Sequence, residues 1–134
     1  MIICGQYSWS GSEPLPFDVK FDKDGDLWVV DEYRNQTREY VPPFTPDMNA
    51  TVILGSGNPS SAATDEFGPS AIAFDSDGNL FVADADNNRV LEYQPPFSTG
   101  MAASVAIGQP SLTSNSAATT ETGLSNPLGV TIQP

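Results

Sequence analysis

"FDSDGNLFVADADNNR", residues 74–89, is an acidic stretch that occurs twice in the chain in related form. Its counterpart, "FDKDGDLWVVDEYRNQ", occupies residues 21–36, which is 53 positions earlier. The same shift superimposes residues 16–55 on residues 69–108 without a gap, and it matches the two Pro-Pro-Phe triplets. The chain therefore contains two copies of one unit, and this unit decides the architecture.

Each copy of the unit predicts four short strands. The first reads "DVKF" or "AIAF" and ends at an acidic turn, and the second reads "DLWVVD" or "NLFVAD", whose aliphatic and aromatic residues suit a pleated, buried surface. The third, "TREYV" or "VLEYQ", stops at a Pro-Pro pair that has no ladder donors, and the fourth, "TVILG" or "SVAIG", ends at glycine. Four-stranded units that repeat about every 50 residues indicate a β-propeller.

The second unit resembles a known repeat family. "GPSAIAFDSDGNLFVADADNNRVLEYQPPF", residues 68–97, is similar to the NHL repeat, with its D-x-x-G turn, its apolar strand ending in Asp and its N-N-R-V segment. Residues 97–115 resemble the linker and outer strand of long bacterial NHL repeats. In the first unit "DEYRNQTREY" replaces "DADNNRVLEY", so the N-N-R-V segment is lost. The resemblance implies a propeller in which the first strand of each unit lines the central channel.

We therefore expect an all-β protein, a β-propeller segment of NHL type with about two complete four-stranded blades plus an extra strand at each end. Residues 1–15 are expected to form the outer strand and loop of a preceding blade, 16–68 the first blade, 69–126 the second, and 127–134 the inner strand of a following blade. Four blades at this period need about 212 residues. The chain is then either an excerpt of a longer array or a subunit whose unpaired edges join other copies in a ring or filament.

The composition excludes several classes of function. The chain carries 17 acidic and 5 basic residues, a net charge of −12, no histidine, and Cys4 as its single cysteine. The charge repels phosphate backbones, and no apolar run is long enough for membrane insertion, so we expect neither a nucleic-acid partner nor a membrane span. The lack of histidine removes Ser-His and Cys-His catalysis and His-containing metal sites. We expect Cys4 to be a small apolar strand residue.

The acidic turns are the candidate metal sites. An EF-hand loop needs glycine at its sixth position and glutamate at its twelfth, whereas "DKDGD" and "DSDGN" place glycine fourth, and the twelfth positions are Tyr33 and Asp86. Aspartate followed by glycine is typical of a tight turn. We therefore predict no cofactor and no metal, and we keep a metal site as the weaker alternative. Its ligands would be drawn from Asp22, Asp24, Asp26, Asp75 and Asp77.

The acids that end the second strands have a structural role by the resemblance. It implies that Asp84 anchors the N-N-R-V segment through a structural bridge to Arg89. In the first unit Gln36 stands in place of that arginine, which leaves the equivalent bridge of Asp31 open. The paired carboxylates Asp31 and Asp84 would suit a glycosidase, but their recurrence in both units favours a scaffold role.

The aromatic residues and the sequons complete the candidates. Trp28 and Phe81 occupy one position of the unit and are expected to fill the space between blades, while Trp9 is the candidate for stacking on a ligand. Asn35 and Asn49 lie in N-glycosylation sequons. Together with the acidity and the few lysines, the sequons favour an extracellular or cell-surface protein, although the chain has no signal peptide.

We expect a non-catalytic scaffold or binding module that acts through its loops, at 31–38, 56–66 and 109–126, or through self-assembly at unpaired strand edges. Its expected partners are proteins, including other copies of itself, with glycans as another option. One alternative is a subunit of a homo-oligomeric ring or filament. Another is part of a propeller enzyme of the hydrolase or lactonase type.

Overall fold

The computed structural model describes residues 16–133, and these residues form two four-stranded antiparallel sheets. In each sheet the strands lie side by side in chain order, as in a propeller blade. Blade 1 contains β1 (Pro16–Phe21), β2 (Leu27–Asp31), β3 (Gln36–Tyr40) and β4 (Val52–Leu54). Blade 2 contains β5 (Pro69–Phe74), β6 (Leu80–Asp84), β7 (Arg89–Tyr93) and β8 (Val105–Ile107). The predicted all-β fold with two complete blades is confirmed.

The two blades repeat in their backbone conformation as well as in their strands. Every strand of blade 2 begins and ends 53 residues after its counterpart. Gly25 and Gly78, in the turns after the first strands, have φ angles of 89° and 87°. Asn35 and Asn88, before the third strands, have φ angles of 53° and 55°. Glycine and asparagine are the residues that tolerate this left-handed conformation, so the turns are encoded locally.

The hydrophobic core lies between the two sheets. Trp28, Val30 and Leu54 of blade 1 are fully buried against Ile72 and other apolar residues of blade 2. The Trp28 ring meets Phe74 and Phe97 of blade 2 edge to face, with centroid distances of 5.9 and 4.9 Å. Trp28 therefore fills the space between the blades, as the sequence predicted.

The segment between β2 and β3 is shorter than the loop expected at residues 31–38. Asp31 still belongs to β2, and β3 already begins at Gln36, so only residues 32–35 form the turn. The polar residues Gln36, Thr37 and Arg38 favoured a loop, and this prediction was wrong. Gln36 and Arg38 are half-buried, and Thr37 is fully buried but donates a hydrogen bond to Glu66, so the strand accepts all three.

The two expected end strands have different outcomes. Residues 1–15, with Cys4 and Trp9, lie outside the described residues. Residues 127–133 are described and form no strand ladder. In each blade the inner strand pairs with the second strand of its own blade, and residues 128–133 contain no second strand of a following blade. The inner strand at 127–134 stays a prediction.

The start of this C-terminal segment nevertheless repeats the junction between the blades. The Gly68 amide donates a hydrogen bond to Asn35 Oδ1 at 3.0 Å, just before β5 begins. The Asn126 amide donates to Asn88 Oδ1 at 2.8 Å in the equivalent place. Gly68 and Asn126 both have positive φ angles, of 60° and 45°. The chain therefore leaves blade 2 in the way in which it leaves blade 1.

Candidate functional site

The two blades are equivalent sheets, but each exposes the face that the other one buries. We call the face that carries Val19 and Phe21 in blade 1, and Ile72 and Phe74 in blade 2, the leading face. In blade 2 this face lies against blade 1, and Ile72 is fully buried. In blade 1 no other strand of the described residues covers it, and Val19 and Phe21 are 47% and 62% exposed. An apolar surface that is covered in one blade is therefore open in the other.

The other face of the sheet shows the reverse pattern. We call the face that carries Trp28, Val52 and Leu54 in blade 1 the trailing face. These three residues are 0 to 8% exposed because they pack against blade 2. In blade 2 the same positions are occupied by Phe81, which is half-buried, and by Val105 and Ile107, which are 42% and 46% exposed. The described chain thus presents one free leading face and one free trailing face.

Asp84 and Arg89 form a fully buried ion pair at the end of blade 2. Arg89 Nε lies 2.6 Å from Asp84 Oδ2, and both side chains have no exposed surface. Asp84 Oδ1 also accepts a hydrogen bond from the Phe67 amide. Burial raises the pKa of Asp84, and these donors, with Arg89, counteract the rise. The structure therefore brings the predicted bridge residues together inside the protein.

The Arg89 guanidinium also binds the connections between strands. Its Nη atoms donate to the carbonyl oxygens of Ser61, Ala62, Asp65 and Leu112. Three of these carbonyls belong to the segment 56–66, which the sequence presented as a variable loop. Arg89 therefore fixes much of this segment against blade 2, which limits its freedom to adapt to a ligand.

Glu66 is a buried acid between the blades that the sequence analysis missed. Its Oε2 accepts a hydrogen bond from Thr37 Oγ1 of blade 1 at 2.9 Å, and its Oε1 accepts one from the Tyr93 hydroxyl of blade 2 at 3.4 Å. Burial, and then the nearby charge of Asp84, raise the pKa of Glu66 well above its ordinary value. Glu66 precedes the repeated core at residue 69, so the repeat alignment gave no signal for it.

Asp31 of blade 1 has a different cationic partner from Asp84. Arg34 Nη1 lies 2.9 Å from Asp31 Oδ2, and Arg38 Nε lies 4.0 Å from the same oxygen. Both arginines are partly exposed, whereas Asp31 is buried. Two flanking arginines therefore take the role that Gln36 cannot fill.

The acidic turns hold their own backbones in the same way in both blades. Asp22 Oδ1 accepts hydrogen bonds from the amides of Asp24 and Asp26, at 3.0 and 2.9 Å. Asp75 Oδ1 accepts bonds of 2.9 Å from the amides of Asp77 and Asn79. Asp24 and Asp77 themselves are exposed. The first aspartate of each turn thus has the structural role that a tight turn requires.

In blade 1 the turn also takes part in a cluster of carboxylates. One oxygen from each of Asp22, Asp26 and Glu39 lies within 4.8 Å of the other two. Of the residues proposed for the weaker metal alternative, Asp24, Asp75 and Asp77 are not in this cluster. The cluster borders a recess of about 290 Å³, whose other wall is formed by Gly78, Pro95, Pro96 and Phe97 of blade 2. Burial, and then the neighbouring aspartates, raise the pKa values of Asp26 and Glu39.

The two sequon asparagines lie in different surroundings. Asn35 is half-buried in a left-handed turn, and its Oδ1 accepts the Gly68 amide. Asn49 is exposed in the connection between β3 and β4. Of the two, only Asn49 offers a free side chain to a modifying enzyme.

No helix in the described part of the chain has the length and apolarity that crossing a membrane requires.

Comparison with known proteins gives a match to one repeat family and no match to a curated protein. The model of the NHL repeat matches residues 68–93, which contain β5, β6 and β7 together with Asp84 and Arg89. The second blade of this β-sheet protein is therefore built on an NHL repeat.

Proposed function

We propose that the chain is a non-catalytic scaffold module whose free blade faces bind further blades, including those of other copies of itself. The observation that carries the proposal is the difference in burial between equivalent positions. Val19 is 47% exposed where Ile72 is fully buried, and Ile107 is 46% exposed where Leu54 is fully buried. Apolar residues that are exposed together on one sheet face, at positions that the other blade buries, favour an interaction surface.

The contact inside the chain supplies the template for the contact between copies. The trailing face of blade 1 already packs against the leading face of blade 2. The trailing face of blade 2 in one copy would meet the leading face of blade 1 in the next copy with the same kind of apolar surface. Such a head-to-tail contact builds a ring if it closes and a filament if it does not.

The absence of catalysis is part of the same proposal. The chain has no histidine, and in the described residues Asp31 and Asp84 are held in ion pairs with arginines. Hydrolysis of glycoside and lactone substrates should stay at the rate of buffer alone. Turnover that disappears in Asp31→Asn or Asp84→Asn would contradict this part of the proposal.

An extracellular or cell-surface location is supported by the exposed sequon and the acidic surface. Mass spectrometry of material from the native source should then find a glycan on Asn49 and none on Asn35, because the Asn35 side chain is engaged within the fold. An unmodified Asn49 would remove the support that the sequon gives to this location.

The test of the scaffold function is the mass of the protein in solution. We expect light scattering after size exclusion to show a mass that rises with concentration. Val19→Glu on the free leading face and Ile107→Glu on the free trailing face should each reduce the protein to a monomer, because a buried unpaired charge is costly. Thr113→Glu adds the same charge at an exposed loop position and serves as the control.

A mixture of the two variants separates head-to-tail assembly from other modes of association. A Val19→Glu copy keeps an intact trailing face, and an Ile107→Glu copy keeps an intact leading face. The equimolar mixture should therefore form a dimer and stop there. A wild-type chain that stays monomeric at about 0.1 mM, well above the dissociation constants of stable assemblies, would overturn the self-assembly proposal.

A further inference from the structure

Three carboxylates converge at the junction between the blades. Asp22 follows β1, Asp26 precedes β2, and Glu39 lies in β3 directly opposite Trp28. Residues directly opposite each other in an antiparallel pair lie on the same face of the sheet. Glu39 is opposite Trp28, and Trp28 packs against blade 2, so Glu39 lies on the face that turns towards blade 2. Antiparallel pairing therefore brings Glu39 to two acids that are 13 and 17 positions away in sequence.

Glu39 is the member of this cluster that requires an explanation. Its exposed fraction is 8%, and no hydrogen bond or ion pair to its carboxylate is formed within residues 16–133. Lys23 lines the same recess, yet none of the described carboxylates lies within 4.0 Å of its Nζ. Glu39 is thus more than nine-tenths buried as a residue and has no partner among the described residues, and its carboxylate is directed into the recess beside two further carboxylates, where like charges disfavour ionisation.

The second blade shows how the same positions look when donors are present. Asn79 stands where blade 1 has Asp26, and its Nδ2 donates to Asp75 Oδ2 at 2.8 Å. Gln94 stands where blade 1 has Val41, and its Nε2 donates to Glu92 Oε1 at 2.9 Å. Both amide donors of blade 2 are therefore missing in blade 1, and one of them is replaced by a further acid.

The geometry suits a single ion. Calcium binds oxygen ligands at 2.3–2.6 Å, so two ligands of one ion lie at most about 5 Å apart. The three oxygens in blade 1 lie within 4.8 Å of one another. All are hard oxygen donors, which favour calcium or magnesium over softer metals. The adjoining recess of about 290 Å³ leaves room for water molecules to complete the coordination.

We propose that Asp22, Asp26 and Glu39 form a binding site for a divalent cation of the calcium type, and that blade 2 has no such site. The cation takes the place of the hydrogen bonds that the two neutral amides donate in blade 2, and it offsets the additional negative charge of Asp26. It joins the turn between β1 and β2 to β3 and lies against the Pro95–Pro96 wall of blade 2. The site is independent of whether the chain assembles with other copies.

Terbium provides a direct test, because it replaces calcium and emits when a nearby indole is excited. Trp28 Nε1 donates to Asp22 Oδ2 at 3.1 Å, so its ring adjoins the proposed site. At about 0.15 M salt, where diffuse charge is screened, terbium should give emission on tryptophan excitation, and calcium should displace it. Calcium should also raise the melting temperature. Neither effect at calcium concentrations up to about 10 mM, beyond the range of extracellular modules, would overturn the proposal.

Two variants distinguish a site from general acidity. Asp26→Asn makes blade 1 resemble blade 2, so it should weaken terbium and calcium binding at least tenfold while the calcium-free protein melts at a higher temperature. Asp77→Asn removes the same charge from an exposed position of blade 2, outside both the cluster and the recess, and should change affinity less than twofold. Equal weakening by both variants would show that the cation responds only to the overall charge.

Discussion

The two blades have the same backbone but satisfy their buried polar groups differently. Blade 2 buries an Asp84–Arg89 pair, and Asn79 and Gln94 donate hydrogen bonds to Asp75 of the turn and to Glu92 of β7. Blade 1 pairs Asp31 with partly exposed arginines and leaves Glu39 without a donor in the described residues. The turns and strands thus fix the fold of each repeat, and the polar side chains between them are what distinguishes the two blades.

Arg89→Met should give the largest difference between the blades. It leaves Asp84 buried without its cation and removes donors from four carbonyl groups, so we expect a loss of about 3–5 kcal/mol in the free energy of unfolding. Arg34→Met in blade 1 removes a partly exposed partner of Asp31 and should cost less than about 1 kcal/mol. Urea denaturation followed by circular dichroism measures both values. Similar losses would mean that the two bridges are equivalent.

Exchanging the aromatic residue of the second strand should have the next largest effect. Trp28→Phe gives blade 1 the residue that blade 2 has, and it leaves a cavity between the blades and removes a donor from Asp22. We expect a loss of about 1–3 kcal/mol.

The reverse exchange, Phe81→Trp, should change the stability by less than about 0.5 kcal/mol, because this half-buried position has room for a larger ring. Thermal and urea unfolding measure both variants. A loss in Phe81→Trp equal to that in Trp28→Phe would contradict the assignment of a free trailing face to blade 2.

Glu66→Gln should change the pH dependence of stability by a smaller amount. The raised pKa of Glu66 means that the folded chain keeps a proton that the unfolded chain releases above the ordinary value of 4.5. Stability from this group therefore falls as pH rises from that value, by at most about 1.4 kcal/mol per pH unit. The variant should gain on the wild type between pH 5 and 8. A difference that is constant over this range would show that Glu66 is ionised in the folded protein.

The sequence predicted the strands well because their signals are local. Asp22 and Gly25, repeated as Asp75 and Gly78, specify the turns, and the Pro-Pro pairs end the third strands. The buried polar contacts were less predictable, because they join residues that are distant along the chain. Glu39 reaches the first turn only through the antiparallel register of the sheet, and Glu66 meets Thr37 and Tyr93 only when the blades pack.

The repeated contact of Asn35 with Gly68 and of Asn88 with Asn126 has a consequence for the geometry of larger assemblies. In an array of repeats, the rotation from one unit to the next is set by their common interface. Because the same hydrogen bond is made at both junctions, it guides the chain from one blade to the next and acts together with the apolar contact around Trp28. The angle between successive blades, and with it the number of blades in a closed ring, would then depend in part on two asparagine side chains that belong to no strand.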